Sequence, residues 1–243
     1  LAITAHPDDE SASFGGTLAL YAGRGVTVEV LCATRGEAGR HRGRATTAAE
    51  LAELRSAEFR DACQVLGVTW REIWEYPDGG LNRVALLEIG ARLCRVIRER
   101  RPDVVLTLGL EGGFTGHPDH SAISHFATFA FHAAGRKDLF AECGAAHRPS
   151  RLFYVTGPAA LPDYPNVCFS PVTTEIDVSQ TFERKIQAFE RHLTQSPLFA
   201  RFRSAAKHYG PRECFHLAAC HGLPPAGIAR DLLAGISEAG ERS

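Results

Sequence analysis

The chain has 243 residues, 44% of them hydrophobic, with a formal charge of −1 and a sequence pI near 6.9. That is enough apolar material for a sizeable core, and the charge balance argues against binding nucleic acid or an anionic membrane surface through bulk charge. No apolar run approaches the ~20 residues of a membrane span, and no secretory signal is visible. The chain holds no Met and opens on residues that read as strand, so its native start is expected upstream.

Residues 1–5 read as a first strand and 14–23 as the helix after it. Residues 27–34 are a β-branched run ending in a polar loop, 35–45. Residues 46–66 have helical spacing, with Leu51, Leu54, Ala57, Phe59 and Ala62 on one broad face, and stop at Gly67. A third strand is expected over 68–76, a helix over 83–101 closed by Pro102, a fourth strand over 103–110 and a helix over 120–134. This alternation predicts a mostly parallel sheet with helices on both faces, a Rossmann-like three-layer α/β sandwich. Later residues are less regular: strands at 151–156 and 172–178, a helix over 179–194 and a closing amphipathic helix over 225–239. Residues 135–149 are expected to be a flexible insertion. With no internal repeat or linker, residues 1–243 read as one domain. The seven cysteines are an odd number without a CxxC pair, as expected of free thiols in a reducing cytoplasm.

The chemistry concentrates in a tripeptide that occurs twice. His6-Pro7-Asp8-Asp9-Glu10 follows the first strand, and His117-Pro118-Asp119-His120 follows the fourth. In a doubly wound sheet, strands 1 and 4 lie side by side where the strand order reverses, and ligands bind there. Motifs roughly 110 residues apart would thus face each other across one crevice. Histidine and aspartate in that setting suit one divalent metal, most simply zinc. Adjacent carboxylates point in different directions, so one can ligate while the other stays free. His6, Asp9 and His120 are the expected ligands and Asp8 the general base. His117, protonated, would stabilise a developing oxyanion, and Asp119 would orient His117 or His120. Glu10 reads as structural, a negative charge at the start of the first helix.

A lone His-Pro-Asp is usually a turn that caps a helix. Two of them, each after a strand and one carrying an extra Asp-Glu, favour a metal site. Gly15-Gly16 is no dinucleotide fingerprint, because GxGxxG is missing, and GxSxG and the phosphate loop are missing too. His125, His132, His147, His208, His216 and His221 show no ligand spacing and read as surface or satisfied core residues.

These segments resemble the PIG-L/LmbE-like family of metal-dependent N-acetylglucosamine deacetylases. The likeness rests on Ala5–Glu10 with Gly15-Gly16-Thr17-Leu18, on Thr34-Arg35-Gly36-Glu37-Ala38-Gly39, and on Gly116–His120. Leu54-Arg55-Ser56-Ala57-Glu58, Asp78-Gly79, the 185–195 helix end and Glu213-Cys214-Phe215 support it. The resemblance implies a zinc ion, or iron(II) as the alternative, and hydrolysis of an acetamide on a glucosamine unit, with the roles already given for His6, Asp8, Asp9, His117 and His120. It implies that Arg55 and Asp78 contact the substrate, and Glu37 lies near the expected site mouth. The implied partner is a small-molecule amino-sugar conjugate in the cytoplasm, with homo-oligomerisation left open. Arg35, Arg40, Arg42 and Arg44 in the second loop would suit an anionic aglycone. Two other readings keep the metal: an amidase for a larger amide, and a sugar-binding protein without turnover.

Overall fold

The structure, a computed structural model, describes residues 1–224 and 226–236. Seven strands form one sheet: β1 (Ala2–Thr4), β2 (Glu29–Thr34), β3 (Trp70–Tyr76), β4 (Val104–Thr107), β5 (Arg151–Thr156), β6 (Thr174–Asp177) and β7 (Arg212–Cys220). Their order is β3-β2-β1-β4-β5-β7-β6. The first five are parallel; β7 runs antiparallel to both β5 and β6. Ala2 pairs with Val30 on one side and Leu106 on the other, so β1 is central and every residue of β1, β2 and β4 is buried. Strands buried on both faces read as continuous apolar runs, which is why they are legible in the sequence.

Among the described residues six α-helices connect them: α1 (Asp9–Gly23), α2 (Ala48–Leu66), α3 (Leu86–Arg100), α4 (Pro118–Ala134), α5 (Phe182–Phe189) and α6 (Phe199–Tyr209). α1, α2 and α5 pack together, and α3 packs on α4. The chain moves outward from β1 to β3 and then crosses back to β4 on the other side of β1, so right-handed crossovers put the helices of the two halves on opposite faces. α2 starts on a full capping box, Thr47 with Glu50, and stops at Gly67 in the left-handed conformation. α4 starts with Pro118 in its first turn after the cap His117. Helices α1 and α4 thus begin inside the two His-Pro-Asp motifs, earlier than periodicity indicates.

Three expectations are corrected. The segment 179–194 is α-helical only over α5, and a 3-10 helix, Leu193–Leu198, begins at its end. The region after it supplies α6 and β7, which the sequence reading did not contain. The closing helix is not formed over 226–236, which makes turns and a bridge from Ala229 to Thr174; Pro225 and 237–239 lie outside the described residues. The segment 135–149 is not a free loop. Buried Arg98 on α3 donates to the carbonyls of Ala134, Arg136, Leu139 and Gly144 at 2.7–3.3 Å, and also to that of Phe140.

Candidate active site

The two His-Pro-Asp segments meet at the carboxyl ends of β1 and β4. His6 Nδ1 lies 3.2 Å from His120 Nε2, and His120 Nε2 lies 3.1 Å from Asp9 Oδ1. Asp9 Oδ2 is 3.7 Å from His6 Nδ1. Three donors therefore converge on one point. The outer nitrogens are spoken for: His120 Nδ1 donates to the Gly112 carbonyl at 3.1 Å, and His6 Nε2 donates to Asp119 Oδ2 at 3.2 Å and Asp78 Oδ1 at 3.1 Å. That is how metal-binding imidazoles are held, with one nitrogen fixed by an acceptor and the other turned inward. The donor set fits a divalent cation of the zinc type. His6, His117 and His120 also offer nitrogens within 4.8 Å of one another, as do groups of His6, Asp78 and Asp119.

Burial lowers the His6 pKa, but hydrogen bonds from its ring to Asp119 and Asp78 and the charge of Asp9 outweigh it and push it up to about 10. A ligating imidazole must be neutral, so metal binding here would release a proton. Burial works against the Asp9 carboxylate, yet His120 and His6 hold its pKa well below the usual range.

Asp8 and Asp9 diverge. Asp9 Oδ2 accepts the backbone N–H groups of Ala5 and His6 at 3.1 and 2.8 Å. Asp8 instead faces the cavity and accepts from Arg55 at 2.9 Å. Burial pushes the Asp8 pKa up to about 6, against the pull of the Arg55 cation. Its backbone sits at φ 117°, a region costly for any residue but glycine. Glu10 helps to hold it there: one oxygen accepts the Asp8 N–H at 3.0 Å, and the other meets His192 Nε2 at 2.7 Å. His192 and Glu10 are both wholly buried. His192 lies in the 185–195 segment matched above, but nothing in that segment singles it out, and only the fold brings it to Glu10.

Several expected roles change. The Asp119 carboxylate orients His6, not His117 or His120, and is itself fixed by the N–H groups of Gly79 and Leu81 at 2.7 and 3.1 Å. His117 Nδ1 accepts the Asp119 N–H at 3.1 Å, so its proton sits on Nε2. Burial, with His6 and His120 nearby, lowers the His117 pKa. In this geometry His117 presents Nε2–H as its free donor, and the lowered pKa runs against the imidazolium expected from sequence. Arg55 is 4% exposed and committed to Asp8, the Gly36 carbonyl at 3.1 Å and the Pro7 carbonyl. Asp78 meets His6 and accepts the Ala38 N–H at 2.9 Å, while Glu37 accepts the Asp78 N–H at 2.9 Å. All three tie the loops together around the cluster; Arg55 and Asp78 also line the cavity and Glu37 does not. Of the four loop arginines, Arg40 lines the cavity. Arg35 is spent on Glu53 and Glu75, and Arg42 and Arg44 are exposed away from it. Among the other histidines, His147 donates to the Pro102 carbonyl and His125 to that of Ser121.

A mostly parallel sheet thus carries a His/Asp cluster at its switch point, and the cluster opens on a cavity of about 710 Å³. The family model for PIG-L, described as GlcNAc-PI de-N-acetylase, matches residues 1–131. The chain belongs to this family of amide-hydrolysing enzymes. A 1D-myo-inositol 2-acetamido-2-deoxy-alpha-D-glucopyranoside deacetylase from Acidothermus cellulolyticus is 32% identical over 278 aligned positions, covering 97% of this chain and 94% of the relative. The solved N,N'-diacetylchitobiose deacetylase of Pyrococcus horikoshii superposes with a TM-score of 0.74 at 20% identity, over 92% of this chain and 82% of the other. A 4-carboxy-2-hydroxymuconate hydratase from Pseudomonas putida KT2440 does so equally well, at 0.74 and 20%, over 93% and 98%. These two likenesses show the fold alone. One belongs to a deacetylase and the other to a hydratase, so the reaction must be argued from the site. Among the described residues no helix is long and apolar enough to cross a membrane.

Proposed function

We propose that this chain removes the acetyl group from an N-acetylglucosamine derivative, with His6, Asp9 and His120 holding one divalent metal, most simply zinc. The observation that carries the reading is the division of labour between neighbours: Asp9 turned into the imidazole cluster, Asp8 turned into the cavity. A bound divalent ion would supply Lewis acidity, polarising the amide carbonyl and acidifying water. Asp8 takes the proton from the attacking water and can pass it to the departing amine. Arg55 and Glu10 keep it aimed, which matters because small misplacements cost large factors in rate. His117, neutral with its Nε2 proton facing the cavity, donates to the oxygen that becomes negative in the tetrahedral intermediate. Asp119 and Asp78 act through His6, holding its ring for ligation. A pure sugar-binding protein needs neither the free carboxylate nor the free donor. One hydrophobic cluster running from Ala2 to Leu232 supports a single domain, and the free cysteines suit a cytoplasmic enzyme.

The test is acetate release from methyl N-acetylglucosaminide by zinc-loaded protein, beside the N-hexanoyl analogue. Release of acetate with a matching amine supports the reading. Turnover of the hexanoyl amide alone would replace it with the larger-amide reading.

A further inference from the structure

The cavity that holds the cluster continues into a second arm of different character. At 710 Å³ it lies well inside the range of about 300–1,000 Å³ typical of sites for drug-sized ligands. The arm is walled by α6, which presents Phe202, Ala205, Ala206 and Tyr209 to it, spacings of three, four and seven that form one helical stripe. Phe189 of α5 stacks on Phe202 at 3.9 Å, and Phe114, three residues before His117, lies 5.6 Å from Tyr209. The two alanines leave room between rings. The Tyr209 hydroxyl donates to the Ala159 carbonyl at 2.8 Å, so its proton is already used. Charged side chains on this arm have partners: Lys185 on Glu213 at 2.6 Å, Arg201 on Asp163 at 2.8 Å and Arg212 on Glu175 at 3.6 Å. Glu213 is further saturated by the N–H groups of Gly16 and Thr17.

We propose that this arm binds an apolar aglycone, an alkyl or aryl group carried by the sugar, and that it sets the substrate preference of the chain. The inference rests on the deacetylase reading. That reaction fixes the acyl group as acetyl, two carbons that need no space of this size, so the occupant is the group on the other side of the sugar. Against the α6 stripe a polyol would meet rings and alanine methyls and lose hydration. An apolar group gains from the same burial.

The experiment compares methyl, butyl and octyl N-acetylglucosaminides for acetate release, and the matching amide-free glucosaminides for binding by calorimetry. With the arm as assigned, kcat/KM and affinity rise by about fourfold per methylene over the first few carbons. Ala205→Phe, a half-buried position, should collapse the octyl-to-methyl ratio towards one. Equal affinity for methyl and octyl glucosaminides overturns the assignment, whether or not acetate is released. So does a gain that follows acyl length in N-acyl analogues. Tighter octyl binding with no acetate release from any glycoside would keep the arm and remove the deacetylase reading. If Ala205→Phe does not fold, the wild-type chain-length series alone decides.

Discussion

Asp8 combines a strained backbone, a buried carboxylate and a guanidinium partner within one side chain's reach, and the account stands on it at the residue scale. Asp8→Asn keeps the shape but removes the proton acceptor. It should retain metal and lose about 10²- to 10⁴-fold in kcat; near-normal turnover would move the base elsewhere. Since Asp8 works ionised and burial raises its pKa to about 6, activity should fall as pH drops through that region. Arg55 favours the ionised form, so Arg55→Ala should raise the Asp8 pKa and move the acid limb of the pH–rate profile to higher pH. Any charge from a bound ion acts on both proteins, so the difference isolates Arg55. An unmoved limb would show that Arg55 does not govern Asp8. His117→Ala should lower kcat by about 10²- to 10³-fold, read from kcat at fixed metal content; an unchanged kcat would remove it as the oxyanion partner. The identities of these residues were legible in two short motifs. Their partners were not: Arg55, Asp78 and Asp119 act on groups from other loops, and one sequence does not show which loop meets which.

Elements position these residues through contacts that spacing does not announce. Gly16 in α1 would, with a Cβ, come 2.7–2.9 Å from three atoms of Val178. Alanine favours helices over glycine by up to ~1 kcal/mol, but overpacking costs about 1–3 kcal/mol, so the clash wins. Gly16→Ala should therefore lower the denaturant midpoint, and a raised midpoint would show that α1 can move off the β6–α5 connection. Arg98→Leu should cost at least ~1–3 kcal/mol by leaving buried carbonyls unpaired and should speed amide exchange over 136–144; unchanged exchange there would contradict its anchoring role. The parallel half was readable because β1, β2 and β4 are buried throughout and α2 and α4 carry side-chain caps. β7 was not, since its later residues are partly exposed and it pairs antiparallel with both neighbours. α6 was hidden because its apolar stripe serves a cavity rather than the core, so Arg, Lys and Ala dilute the pattern.

At the scale of the whole molecule, the sheet brings two segments at opposite ends of β1-to-β4 chain order to one point, and metal binding should feed back on the fold. A ligand that binds only the folded state adds about 2.7 kcal/mol when present at one hundred times its Kd. Zinc should thus raise Tm in the wild type, and the increment should vanish in His120→Ala while the apo Tm stays close to the wild-type apo value. A full zinc shift in that variant would reject His120 as a ligand. The most direct test of the central claim is acetate release from methyl N-acetylglucosaminide, measured side by side for zinc-loaded wild type and Asp8→Asn of equal metal content. Steady release is expected from the wild type and at least ~10²-fold slower release from the variant. Equal rates in the two proteins, or no acetate from either at full metal occupancy, would contradict it.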